Sequence, residues 1–296
     1  MTEKFRAVFP QLLENEPMKN HTTFRIGGNA DMYVSIKSAE ELSSLIKLAN
    51  EAGISYTVIG NGSNLLVSDE GIRGLVIEIG SDFNQVEVKG ERIYAEAGTL
   101  LSKLAASAAK ASLSGLEEIS GIPGTLGGAL YMNAGAYGGE IKDVVKSVTY
   151  VDGDGNINKI DGDDCEFGYR RSIFTDGGKY IVSAELLLKK DKASEINAKM
   201  AEYSKRRREK QPLSYPSAGS TFKRPEGCFA GKLIEDSGLK GFRIGGAQVS
   251  ELHAGFVINC GDATADDVKA VIEHVRKTVK EKFGKDLEPE VKYMGE

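Results

Sequence analysis

The sequence predicts an α+β chain built from two or three lobes. Three observations carry that reading. The chain has 296 residues, and domains usually take roughly 100–200 residues each. Four segments place apolar residues at helical spacing, and short strand-like runs lie between them. These elements interleave without a regular strand–helix–strand rhythm, which sets aside a doubly wound parallel sheet.

Taken in order, Ser38-Ala-Glu-Glu41 is a capping box for a helix. Leu42, Leu45, Ile46 and Ala49 share its apolar face, and Gly53 ends it. Tyr56–Gly60 and Leu75–Ile79 are apolar strands bounded by glycine, and Val86–Gly98 alternates across Lys89-Gly90 as a hairpin. Thr99 is positioned to cap a second helix carrying Leu101, Leu104, Ala105 and Ala108. Val148–Ile160 forms another hairpin across DGDGN, and Tyr180–Leu188 is a buried strand. A third helix spans 193–208 with Ile196, Met200 and Tyr203 inward, and its basic end KRRREKQP bridges to a C-terminal region. Gly255–Cys260 is a further strand. Thr264 then caps a last helix, with Asp267 three residues on and Val268, Val271, Ile272, Val275 and Val279 inward.

Composition narrows the function. With 38 basic and 43 acidic residues the net charge is −5, and nucleic-acid binding, which needs clustered positive charge, is not expected. Three scattered cysteines and three scattered histidines give neither a disulfide scaffold nor a zinc site, so no metal is expected. The opening residues lack the pattern of a signal peptide, and no apolar run reaches the ~18 residues of a membrane span. The expectation is a soluble, reduced, cytoplasmic globular chain. Its 35 glycines make about 12% against a usual ~7%.

Two segments hold much of that glycine. VIGNGSNLLVSDEG follows a strand, but Leu65 stands where a dinucleotide fingerprint needs its third glycine. What remains is a run of backbone N–H groups with Asn61, Ser63 and Asn64, a nest suited to a pyrophosphate. The second segment, SGIPGTLGGALYMNAGAYGGE, has seven glycines in 21 positions and no charge before Glu140. A tight packed loop would explain one glycine pair; seven describe a chain able to lie flat against a large planar or phosphorylated ligand. No Walker A lysine motif occurs in it.

Together TTFRIGG (22–28), GNGSNLL (60–66), the 120–140 segment, FGYRRSIF (167–174), AGSTFKRP (218–225) and LEPEV (287–291) resemble the UDP-N-acetylenolpyruvoylglucosamine reductases. The resemblance runs in order from about residue 17 to 294. It implies the FAD-binding fold of the vanillyl-alcohol oxidase type, with flavin lobes 1–79 and 80–192, a substrate lobe 193–287, and 288–296 returning to the first lobe. It also implies NADPH-dependent, FAD-mediated reduction of an enolpyruvyl ether in peptidoglycan precursor synthesis. The segment from Phe174 to Ser220 has no room for the lid loop of longer members, so the chain resembles the second, lid-less type.

Residue by residue, the resemblance assigns cofactor contacts to Arg25, Gly60, Asn61, Gly62, Ser63, Asn64, Ser120, Gly121, Ile122, Pro123, Gly124, Thr125, Gly127, Gly128, Asn133 and Gly135. Non-covalent FAD is expected despite the proximity of His21 to TTFRIGG. Arg170 matches the catalytic arginine; a guanidinium fork suits a carboxylate. Arg171 is not equivalent, since a neighbour in a strand points the other way. Ser220 matches the proton donor, although its position equally fits a serine in a turn. Glu290 matches the catalytic glutamate, which the residues alone do not separate from Glu288. Tyr169, Lys210 and Arg224 match substrate contacts. The competing readings are a flavin-dependent alcohol or sugar oxidase on the same scaffold and a nucleotide-binding regulator without turnover.

Overall fold

The computed structural model describes residues 2–295, which divide into two compact units. The first takes the chain up to Leu13, Met32–Asn61 and Gly74–Arg207; the second takes Glu14–Asp31, Gly62–Arg73 and the chain from Arg208 onward. Each has its own apolar core. Val34, Leu45, Ile77, Ile93, Leu104 and Leu186 belong to one, and Phe24, Leu66, Ile234, Val257 and Val271 to the other. Residues 1–79 thus contribute to both units, 80–192 lie in the first, and 193–287 pass from first to second after Arg207.

In the first unit a five-stranded antiparallel sheet runs in the order Ile157–Asp161, Val145–Asp152, Lys179–Leu187, Arg92–Glu96, Val86–Lys89. Val148 faces Ala184, which faces Ala95, so one buried row crosses three strands. Both expected hairpins are therefore present. The Ala39–Ala52 helix starts at Ser38 as predicted, with Glu41 N–H donating to Ser38 Oγ at 3.2 Å, but the box is not closed, because the Glu41 carboxylate accepts from Lys37 N at 2.8 Å. Gly53 ends the helix at φ 64°. The strand Tyr56–Ile59 runs parallel to Leu75–Glu78 of its neighbour.

Two expectations fail here. Thr99 does not cap the Leu101–Lys110 helix; Leu100 takes that place without a side-chain bond. The buried Thr99 hydroxyl turns instead to Gln85 O at 3.5 Å, and the orphan N–H of Leu101 is met by Gly124 O at 3.0 Å. The glycine-rich segment is also not flat throughout. Leu126–Met132 is a helix, with Thr125 at its start and Asn133 ending it at φ 42°. Leu126, Ala129 and Leu130 are buried on one side of it, and that burial outweighs the poor helix propensity of Gly127 and Gly128.

In the second unit the Ala265–Phe283 helix has the predicted capping box at Thr264 and Asp267 and ends at Gly284. Asp69 adds a cap from a distant loop, accepting from Ala265 N at 2.8 Å and Asp266 N at 3.1 Å. Val268, Val271, Val275 and Val279 pack this helix into its core. The strands Arg243–Ile244, Ala247–Val249 and Val257–Asn259 form one antiparallel sheet, and Lys292–Met294 pairs in parallel with Leu65–Val67. The short Ala230–Asp236 helix has no counterpart in the sequence reading. No helix among the described residues is long and apolar enough to cross a membrane.

Candidate active site

Within the first unit, the end of the Tyr56–Ile59 strand meets the glycine-rich segment directly. Asn61 Nδ2 donates to Pro123 O at 2.8 Å, and a Cβ on Gly60 would lie 2.9 Å from Thr125 Oγ1. Ser120 is buried and its hydroxyl donates to Glu117 O at 2.7 Å. Sequence reasoning missed Glu117, whose buried carboxylate accepts from Ser114 Oγ and Gly115 N at 2.6 Å and from Leu116 N at 2.9 Å. Burial pushes that carboxyl group up, but these bonds outweigh it and hold the pKa below the usual glutamate range.

The glycines of the segment divide by what surrounds them. A Cβ on Gly127 would meet Ala97 Cβ at 3.0 Å, so packing explains its absence there. On Gly121 it would meet Arg207 Cδ at 3.2 Å, while Tyr203, one helical turn before Arg207, stacks on Tyr137 at 4.6 Å. Gly128 is exposed, and a Cβ there would meet only Thr125 Oγ1 at 3.7 Å. Protein packing does not require a glycine at 128. The bare backbone beside Gly60, Asn61 and Thr125 fits the close approach of a large planar, phosphorylated group such as FAD. Ile122 is half-buried against the core, and Gly124 is held by Leu101.

The two arginines of FGYRRSIF lie in a turn, not in a strand. Gly168 and Arg171 form an antiparallel bridge, with Gly168 N to Arg171 O at 2.9 Å and Arg171 N to Gly168 O at 3.3 Å. Arg170 sits inside this turn at φ 55°, a left-handed conformation that costs a non-glycine residue on the order of 1 kcal/mol. Its half-buried side chain donates from Nη2 to Gly135 O at 3.3 Å and lies 5.2 Å from the ring of the exposed Tyr169. Arg171 is exposed and pairs with Asp176 at 3.5 Å. The arginines do differ in environment, but through the turn geometry and not through strand alternation. Asn133 is fully buried, and its amide is held by Glu140 and Gly168.

In the second unit Thr221 organises the residues around Ser220. Thr221 N donates to Gly255 O at 2.8 Å, its Oγ1 accepts from Val257 N at 2.9 Å, and its carbonyl accepts from Glu290 N at 2.8 Å. Ser220, exposed, and Glu290, half-buried, therefore sit on neighbouring backbones. The structure also separates the two glutamates that the sequence left equivalent. Glu288 is exposed and pairs with Lys223 Nζ at 2.5 Å, whereas Glu290 is anchored through its backbone on both sides, accepting from Asn64 Nδ2 at 3.1 Å. Gly62 has φ 60°, and a Cβ there would come within 2.0 Å of His21 O. Arg25 is exposed at φ 56°, and Ser63 is half-buried. His21 pairs with Glu16 at 3.0 Å. Lys210 is exposed at the end of its helix, and the Arg224 guanidinium lies 3.9 Å from the Phe229 ring centroid. Among the described residues no cluster of metal-binding side chains occurs.

Comparison with known proteins places this geometry. Residues 30–161 match the family model of an FAD binding domain, and residues 211–294 match that of the UDP-N-acetylenolpyruvoylglucosamine reductase C-terminal domain. The chain is 52% identical over 282 residues to the UDP-N-acetylenolpyruvoylglucosamine reductase of Clostridioides difficile (strain 630), covering 95% of this chain and 93% of that protein. It is 50% identical over 296 residues to the protein of the same name from Syntrophomonas wolfei, covering 100% and 99%. The crystal structure of UDP-N-acetylenolpyruvylglucosamine reductase from Thermus caldophilus superposes with a TM-score of 0.82 at 37% identity, covering 96% of this chain and 98% of that one. 4-Ethylphenol oxidase from Gulosibacter chungangensis aligns at TM-score 0.50 and 15% identity over 63% of this chain and 42% of its own, a likeness of fold alone. The fold is α+β, of the FAD-binding type of the vanillyl-alcohol oxidases.

Proposed function

The chain belongs to the UDP-N-acetylenolpyruvoylglucosamine reductase family and is an FAD-binding oxidoreductase, and from that premise we propose that it reduces the enolpyruvyl ether of UDP-N-acetylglucosamine with NADPH. The reaction belongs to peptidoglycan precursor synthesis in the cytoplasm, and the enzyme works as a monomer. Bound non-covalently, FAD would supply the hydride chemistry between NADPH and the β-carbon of the enolpyruvyl group. Gly60, Asn61, Thr125 and Gly128 of the first unit are the residues that would hold it.

The chain's own residues do the rest. Arg170 binds the enolpyruvyl carboxylate through its planar, permanently charged fork and stabilises the charge that hydride addition places there. Ser220 delivers a proton to the α-carbon. A serine hydroxyl is a weak acid, so it protonates only a strongly basic centre, and hydride addition creates one. Glu290 stabilises the enol form of that intermediate. Lys210 and Arg224 hold the uridine diphosphate portion of the substrate, and Tyr169 is a further substrate contact.

The observation that carries the reading is the bond from Glu290 N to Thr221 O at 2.8 Å. It sets the two residues assigned to the proton chemistry on adjacent backbones of one unit. The test is anaerobic: NADPH should bleach the flavin of the purified protein, and the enolpyruvyl UDP-sugar should restore its colour. Oxygen uptake driven by an alcohol or sugar, with no response to the UDP-sugar, would favour the oxidase instead.

A further inference from the structure

We propose that Asn133 and Ser172 are positioning residues for Arg170, and that Asn133 acts through the arginine's turn instead of touching the cofactor. The inference rests on the reading of Arg170 as the group that binds the enolpyruvyl carboxylate.

The Asn133 side chain has no capacity left for a ligand's acceptor groups. It is 0% exposed, and Nδ2 donates to Gly168 O at 2.9 Å and to Glu140 Oε2 at 3.2 Å. An amide nitrogen carries two hydrogens, so both are used. Its Oδ1 accepts from Lys142 N at 3.3 Å. Glu140 also pairs with Lys142 Nζ at 2.6 Å. With a carboxylate and a carbonyl as neighbours, the nitrogen of the amide must face Gly168.

Gly168 O is the acceptor that closes the turn around Arg170, since Arg171 N donates to it at 3.3 Å. Just after the turn, Ser172 is also 0% exposed and its Oγ donates to Tyr131 O at 2.8 Å. Arg170 itself reaches Gly135 O at 3.3 Å. Alternate residues 131, 133 and 135 of the glycine-rich segment thus hold residues 172, 168 and 170 of the arginine turn. A residue at φ 55° persists only where its surroundings over-determine it. Here they fix the direction of a fork whose use depends on angle as well as distance.

The experiment uses the flavin-loaded enzyme and the variant Asn133→Gly, which keeps the left-handed backbone at 133 and removes only the amide. Flavin content and the rate of flavin reduction by NADPH should stay within about twofold of wild type, while reoxidation by the enolpyruvyl substrate should slow by about 10–100-fold, the scale of a small misplacement of a reacting group. In an Arg170→Ala background the same change should add less than about twofold, because two residues acting through one group are not additive. Loss of bound flavin from Asn133→Gly, unchanged reoxidation, or an equal slowing with and without Arg170 would each overturn the proposal. If Asn133→Gly does not fold, Ser172→Ala is judged by the same measurements. A wild-type reoxidation rate for Arg170→Ala alone is a distinct result: it removes the role of Arg170 and this inference with it.

Discussion

Asn64 donates its side-chain amide to the carbonyl oxygen of Glu290 at 3.1 Å, joining residues 226 positions apart. Lys292 N returns a bond to Asn64 O at 2.9 Å, and Leu65–Val67 continues the pairing with Lys292–Met294. The loop read from its sequence as a phosphate nest therefore also anchors the segment that carries Glu290. Its asparagine faces the protein's own chain.

Asn64→Ala should destabilise the second unit by about 1 kcal/mol, the net worth of one such hydrogen bond when its acceptor keeps partial access to water. Denaturant unfolding of flavin-free protein is the measurement, since it separates this effect from any loss of ligand. An unchanged midpoint and slope would mean that the Glu290 segment is held without Asn64.

Gly62 and Gly128 look alike in the sequence, as small residues in loops expected to touch a cofactor. The structure predicts different failures when each becomes valine. At Gly62 a Cβ would sit 2.0 Å from His21 O with φ at 60°, so Gly62→Val should lower the stability of flavin-free protein. At Gly128 a Cβ meets nothing closer than 3.7 Å, so Gly128→Val should fold and purify with little flavin. Thermal unfolding of the flavin-free proteins, read beside flavin absorbance per chain, distinguishes the two. Full flavin content in Gly128→Val would show that the bare backbone there is not a cofactor surface.

Those glycines mark the limit of what the sequence makes legible. The caps at Ser38 and Thr264 and the glycine stop at 53 are readable because each is set by residues within one turn. Thr99 misleads because its hydroxyl has a competing partner at Gln85, outside any local pattern. The Leu126–Met132 helix is hidden by its own glycines, which lower helix propensity while core contact supplies the stability. Arg170 and Glu290 are legible only as parts of motifs. The features that distinguish them from Arg171 and Glu288, a left-handed turn and a bond from Asn64, depend on chain brought from far away. Asp69, Glu117 and Thr221 leave no sequence signal, because each is defined by the backbone groups it meets after folding.

Glu117 gives a prediction in pH. Its carboxyl pKa is raised by burial but lowered further by bonds from Ser114, Gly115 and Leu116, leaving it below the ordinary value of 4.5. The folded state therefore prefers the ionised form. The stability this confers is present above pH 4.5 and is lost as pH falls through the lower folded value. Glu117→Gln should be less stable than wild type at pH 7 by about 2 kcal/mol, because the new amide places a donor against backbone N–H groups. That gap should narrow below pH 4.5. A gap that stays constant in thermal unfolding from pH 7 to pH 3 would mean that the carboxylate's charge is not what holds the turn leading to Ser120.

Ser220→Ala should separate the two halves of the reaction. Thr221, not Ser220, makes the bonds that fix this stretch of chain, to Gly255, Val257 and Glu290. Ser220 is exposed, so removing its oxygen should leave stability and flavin content unchanged. Reduction of the flavin by NADPH requires no proton at the substrate's α-carbon and should proceed at the wild-type rate. Reoxidation by the enolpyruvyl substrate should slow by about 10²–10⁴-fold, the usual worth of a positioned general acid. Substrate affinity should change little, because the hydroxyl acts where charge develops and not in the ground state. Anaerobic stopped-flow of each half-reaction reads both rates. Unchanged reoxidation would remove Ser220 from the mechanism. Equal slowing of both halves would instead assign it a structural role, which is the outcome that the bonding of Thr221 argues against.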